Sequence, residues 1–395
     1  MTAQSKAAII AAARSAIGTA RKGTLANMPA IEVAKPIVVA AVERSGLDPS
    51  DFEDLILAES LQGGGDSARY IAVDLGYDSI PGAAVNRQCA SSLAAIAFGA
   101  GQIASGMSRH LLAGGMESLS TMPQFLKRKA FTTGKEAGDW ERFAPAANPL
   151  DTPGAPPYDM SITVAHNCAV EYGLTREDQD AWSLRSHQRA VKAVDAGSFV
   201  DEIVPIEVPQ ADGSTVTFAV DEHPRRETSM ETLAGLKVLH PEIEGFSVTA
   251  GNSSGTNDAA AVVALASPQT QENVLANILS WSQVGIPAKR TGSGPIYAIP
   301  KALELAGLKI SDVALFEINE AFAAQAVACT RQLGLDEELV NVYGSGISLG
   351  HPIAATGARM VTSAIHELRR RGGGIGVLSM CAGGGMGAAM VIEVA

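Results

Sequence analysis

An internal repeat is the feature that most restricts how this chain can fold. The segment VAAVERSGLDPSDFEDLILAES (residues 39–60) is echoed by PKALELAGLKISDVALFEINEA (residues 300–321), with Gly46 aligned to Gly307 at one constant offset. Each copy predicts an amphipathic helix that ends at its glycine, a short turn that begins with Ser and Asp, and an apolar strand. Because one unit occurs twice, we predict two related halves.

The same offset places the surroundings of Cys89 on those of His351. Shifted by that number of residues, Cys89 falls on Gly350, next to His351, and each precedes an Ala-rich helical stretch that runs into an apolar strand with a Gly-rich exit. If the halves pack about a pseudo-twofold axis, the equivalent helix N-termini face each other. We therefore expect Cys89, His351 and the later Cys381 to meet.

The middle of the chain breaks this pattern. It is richer in proline, charge and aromatic residues, and it contains an amphipathic helix that Thr175 can cap at its start and Gly197 at its end. We predict an α/β protein in three parts: an N-terminal half over residues 1–121 and 251–276, an inserted loop domain over 122–250, and a C-terminal half over 277–395.

Composition limits the partners and the cellular setting. The chain has 395 residues and a formal net charge of −12 at pH 7, so it lacks the cationic excess that nucleic acid or an anionic membrane surface requires. No window approaches the roughly 18 apolar residues of a membrane span. The four cysteines show no C-x-x-C spacing, which favours free thiols in a reducing compartment. We predict a cytoplasmic protein that binds neither nucleic acid nor membrane.

Cys89 is a candidate nucleophile, and His351 is its candidate base. Cys89 lies in AVNRQCASSLAA at the expected start of a helix, where unpaired N–H groups should stabilise a thiolate and lower the pKa of the thiol. His351 is followed by Pro352, which suits a first helical turn and places a neutral imidazole at the helix mouth. Taken alone, Cys89 can equally be a buried structural thiol, and His351 can be a histidine with only local hydrogen bonds. The repeat favours a catalytic pair because it places the two residues opposite each other.

Further candidate residues lie at the ends of two later predicted strands. In SMCAGGGMG, Cys381 precedes glycines that can bring backbone N–H groups to a reacting oxygen and form half of an oxyanion hole. A tight turn around a buried thiol is the alternative. A second reactive thiol there suits an acid or base toward carbon, while Asn319 and Glu320 can either fix a water molecule or cap a helix.

Six segments together resemble the thiolase family, the acetyl-CoA acetyltransferases and 3-ketoacyl-CoA thiolases. They follow family order and spacing along essentially the whole chain: NRQCASSL, LLAGGMES, TAGNSSGTNDAA, EINEAFA, GHPIAATGAR and CAGGGMGAA. The resemblance implies the thiolase fold, in which two pseudo-symmetric βαβαβαββ halves stack in layers. It also implies an acyltransferase of fatty acid metabolism and β-oxidation, a homodimer or homotetramer, with tetramer contacts near residues 122–145.

The resemblance further implies CoA-dependent thiolytic cleavage of a 3-ketoacyl-CoA to acetyl-CoA and a shortened acyl-CoA, or the reverse Claisen condensation. By it, Cys89 is the acylated nucleophile, His351 its activator, and Cys381 the acid or base at the substrate α-carbon. Asn319 is then expected to hold a water that forms one oxyanion hole with His351, and the N–H groups of Cys89 and Gly383 to form the other. Coenzyme A is implied as a co-substrate, with no metal and no covalently bound cofactor.

Coenzyme A contacts are implied in and beside the inserted domain. They combine apolar walls for the pantetheine arm with one guanidinium for the adenine end. By the resemblance they are Met160, Arg225, Leu236, Ala250, Ser254, Ala321 and Phe322.

Departures from common family members leave acyl-chain length, steroid preference and reaction direction open. The segment before Met160 lacks the usual histidine, and less common residues occur in the catalytic loops at Ser92, Tyr343, Ser345, Ala354 and Thr356. Two other functions remain. A ketoacyl synthase-type condensing enzyme has a histidine where this chain has Cys381, and a non-catalytic thiolase-like acyl-CoA-binding protein is expected to lack one of the three reactive residues.

Overall fold

The computed structural model describes residues 5–62, 65–143, 147–269 and 273–395. Its strands are β1 (Ala7–Arg14), β2 (Gly18–Thr19), β3 (Leu55–Ala58), β4 (Gly82–Val85), β5 (His110–Ser118), β6 (Phe125–Arg128), β7 (Trp140–Phe143), β8 (Ile206–Pro209), β9 (Thr215–Phe218), β10 (Asn257–Ala266), β11 (Ala276–Gly285), β12 (Val313–Ile318), β13 (Gly374–Ala382) and β14 (Met386–Val394). Its α-helices are α1 (Ala30–Ser45), α2 (Ser67–Asp74), α3 (Ser91–Ala104), α4 (Asn167–Tyr172), α5 (Arg176–Asp195), α6 (Met230–Ala234), α7 (Gly294–Ala306), α8 (Ala323–Gln332) and α9 (Thr356–Arg370).

The same strand order occurs in both halves of the chain. β4, β3, β5, β10 and β1 are hydrogen-bonded neighbours in that order, with β2 joined to β10. β12, β13, β14 and β11 repeat the order of β3, β5, β10 and β1. β3 runs parallel to β4 and β5, as β12 does to β13, while β10 and β14 are antiparallel to their neighbours. The two half-sheets join where β1 pairs antiparallel with the start of β11.

Buried side chains arrange these elements in five layers. Side chains of α1 and α2 share one core with one face of β1, β5 and β10. The opposite face of those strands shares a second core with α3, α9 and one face of β13 and β14. The far face of the second half-sheet packs on α7 and α8. The predicted α/β class with two pseudo-symmetric halves stacked in layers is confirmed, and α3 and α9 form the central layer.

The repeated unit has the predicted local structure in both copies. Helix α1 ends at Gly46 with φ 73°, and α7 ends at Gly307 with φ 69°. Both values lie in the left-handed region, which glycine adopts without the steric cost that a Cβ imposes. A single 3₁₀ turn and an apolar strand follow each glycine, so the chain folds the two copies alike.

The middle of the chain supplies short elements around one long helix. The β6–β7 and β8–β9 hairpins, a π-helical turn over Ser161–His166 and helices α4 to α6 occupy it. The Thr175 hydroxyl accepts a hydrogen bond from the Asp178 N–H at the start of α5, as expected, and Gly197 follows its end with φ 68°. Residues 144 and 145 of the expected tetramer-contact region lie outside the described residues. Within the described ranges, no helix is both long and apolar enough to cross a bilayer.

Candidate active site

Cys89 lies on a rigid segment between β4 and α3. The hydroxyl of Ser91 accepts a hydrogen bond from the Arg87 N–H at 2.7 Å and donates to the Gln88 carbonyl at 2.5 Å. Ser60, which follows β3, also donates to the Gln88 carbonyl at 2.9 Å. Gln88 has φ 51°, an uncommon value for a residue with a side chain. These contacts fix the backbone on which the Cys89 thiol stands, one residue before the helix cap.

The electrostatics of Cys89 differ from the sequence expectation. Desolvation raises the pKa of the thiol to about 11, and hydrogen bonds from the backbone N–H groups of Gly383 and of Cys89 itself only partly oppose the rise. The expected lowering of the pKa by the helix start is therefore wrong, because the loss of water outweighs the N–H groups. At neutral pH the resting Cys89 is a thiol, and two N–H donors converge on its sulfur.

His351 is buried and neutral. Desolvation, with a smaller contribution from Arg359, lowers the pKa of the imidazole to about 3. The Thr356 hydroxyl donates to the Pro352 carbonyl at 2.9 Å and lies 2.7 Å from His351 Nδ1, so that Nδ1–H donates to the hydroxyl oxygen. Nε2 is then the nitrogen with a free lone pair. The structure therefore provides a base that can accept one proton.

The position of Pro352 differs from the sequence expectation. Helix α9 begins at Thr356, so Pro352 precedes it instead of forming its first turn. The intervening residues form a turn in which the Ala355 and Thr356 N–H groups donate to the Pro352 carbonyl. His351 is held from the other side, where its own N–H donates to Asn257 Oδ1 at 3.0 Å.

Asn319 and Glu320 have different surroundings at the end of β12. The Asn319 amide nitrogen lies 3.4 Å from His351 Nε2, and its Oδ1 has no hydrogen-bond partner among the described residues. Glu320 is buried and accepts four hydrogen bonds, from the side chains of Trp182, Ser186 and Asn341 and from the Ile347 N–H. Asn319 therefore faces the site, while Glu320 anchors α5 to the loop that leads to His351.

Cys381 lies at the end of β13 in an apolar setting. It packs with Val164 and Ala321, and Met160 and Phe322 lie against this cluster. Desolvation, helped by the neighbouring thiols of Cys89, Cys329 and Cys168, raises the pKa of Cys381 well above its usual value. Cys381 is therefore a protonated thiol close to Cys89, and its surroundings suit proton donation to carbon.

Family comparisons cover nearly the whole chain. The thiolase N-terminal domain matches residues 7–269, and the thiolase C-terminal domain matches residues 272–394. The chain belongs to the thiolase family. A 3-ketoacyl-CoA thiolase of Bacillus subtilis is 39% identical over 98% of this chain and 99% of its own length. An acetyl-CoA acetyltransferase of Escherichia coli is 39% identical over 98% of both chains.

Solved structures agree with this assignment. The acetyl-CoA acetyltransferase of Bacillus anthracis superposes with a TM-score of 0.89 at 41% identity and full coverage of both chains. Human mitochondrial 3-ketoacyl-CoA thiolase superposes with a TM-score of 0.87 at 34% identity over 98% of both chains. The predicted thiolase fold and thiolase activity are confirmed, and the protein is an acyltransferase.

Coenzyme A is a substrate of this thiolase, as it is throughout the family. The part of the chain that the structure describes contains no group of three or more His, Cys, Asp or Glu side chains that could hold a metal ion.

Four of the residues expected to contact coenzyme A lie together beside Cys381. The Ser254 N–H donates to the Ala321 carbonyl at 3.0 Å, next to a backbone bridge between Ser253 and Phe322. Ala321 and Phe322 contact the Cys381 cluster, to which Met160 also belongs. This path joins four of the expected residues to the reactive thiols.

The remaining expected contacts lie further out. Leu236 approaches Gly251 closely, beside the exposed Ala250. Arg225 is exposed and lines an open cavity of about 540 Å³ together with Lys192 and Arg226. Apolar residues therefore lie beside Cys381, and the guanidinium of Arg225 lies in a separate open cavity; the contacts with coenzyme A stay a prediction.

Sequence reasoning missed Glu117. This residue lies in β5 of the thiolase, is fully buried, and accepts hydrogen bonds from three groups in two loops of the site. The segment LLAGGMES was recognised as a family motif, and a carboxylate in such an apolar strand was the signal that could have identified the residue.

Proposed function

We propose that this thiolase cleaves 3-ketoacyl-CoA with coenzyme A, or condenses acyl-CoA units in reverse, through an acyl-Cys89 intermediate. The observation that carries the proposal is that the Gly383 and Cys89 N–H groups oppose the rise in the pKa of the Cys89 thiol. Gly383 also lies against Gln88, the residue before Cys89, since a Cβ placed on Gly383 would lie 3.6 Å from Gln88 Cγ. Donors in that position can stabilise the carbonyl oxygen of an acyl group on Cys89. A neutral base at His351 and a protonated thiol at Cys381 are the other groups that the reaction needs.

The first half-reaction breaks the substrate C2–C3 bond. As the Cys89 sulfur attacks the 3-keto carbon, its proton passes to His351 Nε2. The electron pair of the C2–C3 bond moves onto C2 and its thioester carbonyl, and this oxygen is stabilised by His351 with a water held by Asn319. The Cys381 thiol then gives its proton to C2, which releases acetyl-CoA and leaves an acyl thioester on Cys89.

The second half-reaction regenerates the enzyme. The sulfur of free coenzyme A attacks the acyl carbonyl while its proton returns to Cys381. The carbonyl oxygen develops negative charge toward the Cys89 and Gly383 N–H groups, and the Cys89 sulfur leaves with the proton from His351. The shortened acyl-CoA departs, and the reverse sequence is a Claisen condensation.

We also propose the expected residues as the coenzyme A site. Met160, Ala321 and Phe322 supply apolar contacts next to Cys381, which suits the end of the pantetheine arm. Ser254, Ala250 and Leu236 continue outward, and Arg225 faces the adenine end. Lys192 lines the same cavity as Arg225 and adds positive charge for phosphate, while Arg226 pairs there with Asp195.

Intact-protein and peptide mass spectrometry tests the reaction. The thiolase is incubated without free coenzyme A with acetoacetyl-CoA, a medium-chain 3-ketoacyl-CoA or a steroid-type 3-ketoacyl-CoA. We expect a mass increase on Cys89 equal to the shortened acyl group, and the substrate with the highest occupancy identifies the preferred chain. Cys89→Ala should abolish the adduct while coenzyme A binding survives. Binding without an adduct on any substrate would favour the non-catalytic alternative.

A Cys381→Ala variant separates the two half-reactions. We expect it to exchange acyl groups between Cys89 and coenzyme A at a reduced rate, because that step loses its proton acceptor but needs no proton on carbon. C–C bond cleavage should fall by about 10²–10⁴-fold, the usual contribution of a general acid. Equal loss of both steps would contradict the assigned role of Cys381. Malonyl-CoA as the only competent donor would favour the ketoacyl synthase alternative instead.

We propose a homodimer that forms through β4. This strand lies at one end of the sheet, and Ala83 and Ala84 expose its free edge. The exposed apolar side chains of Tyr70, Val73 and Phe98 flank it on α2 and α3. The β6–β7 hairpin offers a second apolar surface, so a homotetramer of two such dimers is the alternative.

We propose that the thiolase works in the cytoplasm in fatty acid metabolism. The four cysteines are all free, as expected in a reducing compartment. Its relative from Bacillus subtilis is a 3-ketoacyl-CoA thiolase, which supports a place in β-oxidation. Growth of a deletion strain on fatty acids as the carbon source tests this, and unimpaired growth with full β-oxidation flux would contradict it.

A further inference from the structure

The side chain of Glu117 contacts two loops of the thiolase site at once. Its Oε1 accepts hydrogen bonds from Gln62 Nε2 at 2.6 Å and from the Leu61 N–H at 3.2 Å. Its Oε2 accepts from the Ala354 N–H at 3.0 Å. The carboxylate is fully buried in β5, so these three donors replace the water that it loses.

One side of this bridge leads to Cys89. Leu61 and Gln62 directly follow Ser60, whose hydroxyl donates to the Gln88 carbonyl and lies 2.9 Å from the Ser91 hydroxyl. The Ser60 carbonyl also accepts from the Asn86 side chain at 3.1 Å. Fixing the loop after β3 therefore fixes the segment that carries the nucleophile.

The other side leads to His351. Ala354 lies in the turn between His351 and α9, and its N–H is the group that Glu117 holds. β5 approaches this turn closely, since a Cβ placed on Gly115 would lie 2.2 Å from the Ala354 carbonyl oxygen. The turn belongs to the C-terminal half and β5 to the N-terminal half, so Glu117 spans the boundary between the repeats.

We propose that Glu117 is a positioning residue that sets the placement of Cys89 relative to His351 by holding both catalytic loops through one carboxylate. The inference rests on the proposed roles of Cys89 and His351. Transfer of the Cys89 proton requires the sulfur and the imidazole to keep a defined separation, and small misplacements are costly in rate. Glu117 touches neither reacting group and positions them through the two loops; its charge also adds to the raised pKa of the Cys89 thiol.

The charge of Glu117 matters for this bridge. Desolvation raises the pKa of the carboxyl to about 7, and the negative charge of Glu59 adds to the rise. The hydrogen bonds from Gln62, Ala354 and Leu61 lower the pKa and only partly offset this rise. The ionised form accepts from all three donors, whereas the protonated form must donate its O–H, which requires the Gln62 amide to rotate and gives up the donor at 2.6 Å. Raising the pH through 7 therefore completes the bridge. Of the other groups at the site, His351 is neutral throughout this range, and Cys89 is a thiol.

Glu117→Gln tests the proposal in the full-length protein. The amide keeps the size of the side chain but turns one acceptor oxygen into an NH₂ group that faces an N–H donor, so one loop loses its contact. We expect kcat for thiolysis to fall by about 10- to 100-fold, the scale of a small misplacement of reacting groups. KM for the acyl-CoA should stay within about twofold. In the wild-type protein kcat should decline below pH 7 as Glu117 becomes protonated, and in the variant this decline should disappear.

Glu202→Gln is the matched control. Glu202 is also a fully buried carboxylate, but its partners are Arg14 at 2.6 Å and Ser363, two turns into α9, and neither lies in the two loops that Glu117 holds. We expect this variant to lower the melting temperature without changing kcat or its pH profile. A kcat for Glu117→Gln within twofold of wild type, or an unchanged decline below pH 7, would overturn the proposal, as would an equal loss of kcat in Glu202→Gln.

A second variant keeps the test decisive if Glu117→Gln folds poorly. Gln62→Leu removes the 2.6 Å donor on the Cys89 side and leaves the carboxylate in place. Because that donor lowers the pKa of Glu117, its loss should move the midpoint of the kcat decline to higher pH, and an unmoved midpoint contradicts the proposal. Failure of wild type to acylate Cys89 would reject the proposed function, whereas wild-type acylation with unchanged variants would reject only the role of Glu117.

Discussion

At the scale of single residues, the two central groups of this thiolase are both neutral at rest. Desolvation raises the pKa of the half-buried Cys89 to about 11 and lowers the pKa of the buried His351 to about 3, because it disfavours the charged form of each group. A thiolate–imidazolium pair is therefore disfavoured without substrate. We infer that the nucleophile becomes charged only as it attacks, when the developing oxyanion meets the N–H groups of Cys89 and Gly383.

Alkylation kinetics test the resting state of Cys89. The thiolate is the reactive form, so the rate of iodoacetamide reaction should rise about tenfold per pH unit from pH 7 to 10, below the folded-state pKa. Peptide mass spectrometry measures the label at Cys89, and Cys89→Ala reports the background from the other three cysteines. In urea the rate should level off near pH 9. If the alkylation rate of the folded protein levels off near pH 8.5, the pKa of Cys89 is not raised.

The identities of the reactive residues could be read from the sequence, but their charges could not. The repeat and the family motifs predicted that Cys89, His351 and Cys381 belong together, because residue order and spacing carry that information. The pKa of Cys89 depends on how fully other segments exclude water from it. One such segment holds Ala147, distant in sequence, which covers Gly383: its Cβ lies 3.0 Å from where a Cβ on Gly383 would stand, and the Gly383 N–H acts on the Cys89 thiol.

At the scale of elements, the fold repeats one unit with the same local chemistry. Gly46 and Gly307 each donate their N–H to a glutamate carbonyl three residues back and end a helix in the left-handed conformation. Both positions are open, since a Cβ placed on either glycine would meet nothing within 4 Å. Any cost of adding a side chain there is therefore conformational rather than steric.

Substituting these glycines by alanine gives a quantitative test of the repeat. Gly46→Ala and Gly307→Ala should each lower the free energy of unfolding by about 1–2 kcal/mol, the cost of a left-handed residue with a Cβ. The double variant should show the sum, because the sites are in separate halves. Gly285→Ala is the control, since that position is open and does not require a positive φ. Urea unfolding measures the stability of all four variants. If the destabilisation by Gly46→Ala and by Gly307→Ala differs by more than about 1 kcal/mol, the two sites are not equivalent.

Element boundaries near the site were less predictable than the repeat itself. The sequence placed Pro352 in the first turn of a helix, yet α9 begins only at Thr356. The turn between them is shaped by contacts that are distant in sequence, including Glu117 on the Ala354 N–H. Local helix signals do not contain such contacts, so they predicted the helix but not where it starts.

At the scale of the whole molecule, the two ends of the sheet differ. Beyond β12, Val340 bridges to Phe316 in the place that β4 takes beside β3, and both residues are buried. At the other end, Ala83 and Ala84 of β4 are exposed. An open edge strand presents unpaired N–H and C=O groups, which soluble proteins commonly cover. If a second copy pairs through a twofold axis, the β4 edge of each protomer covers the β4 edge of the other.

Sedimentation of surface variants tests this dimer. We expect wild type to sediment as a dimer or a larger even-numbered assembly at micromolar concentration. Phe98→Lys puts a charge into the apolar flank of β4 and should raise the dissociation constant about 30-fold or more, the effect of losing about 2 kcal/mol at an interface centre. Met107→Lys is the control, because Met107 is 75% exposed in the loop after α3. A wild-type monomer, or equal effects of the two variants, would exclude assembly through β4.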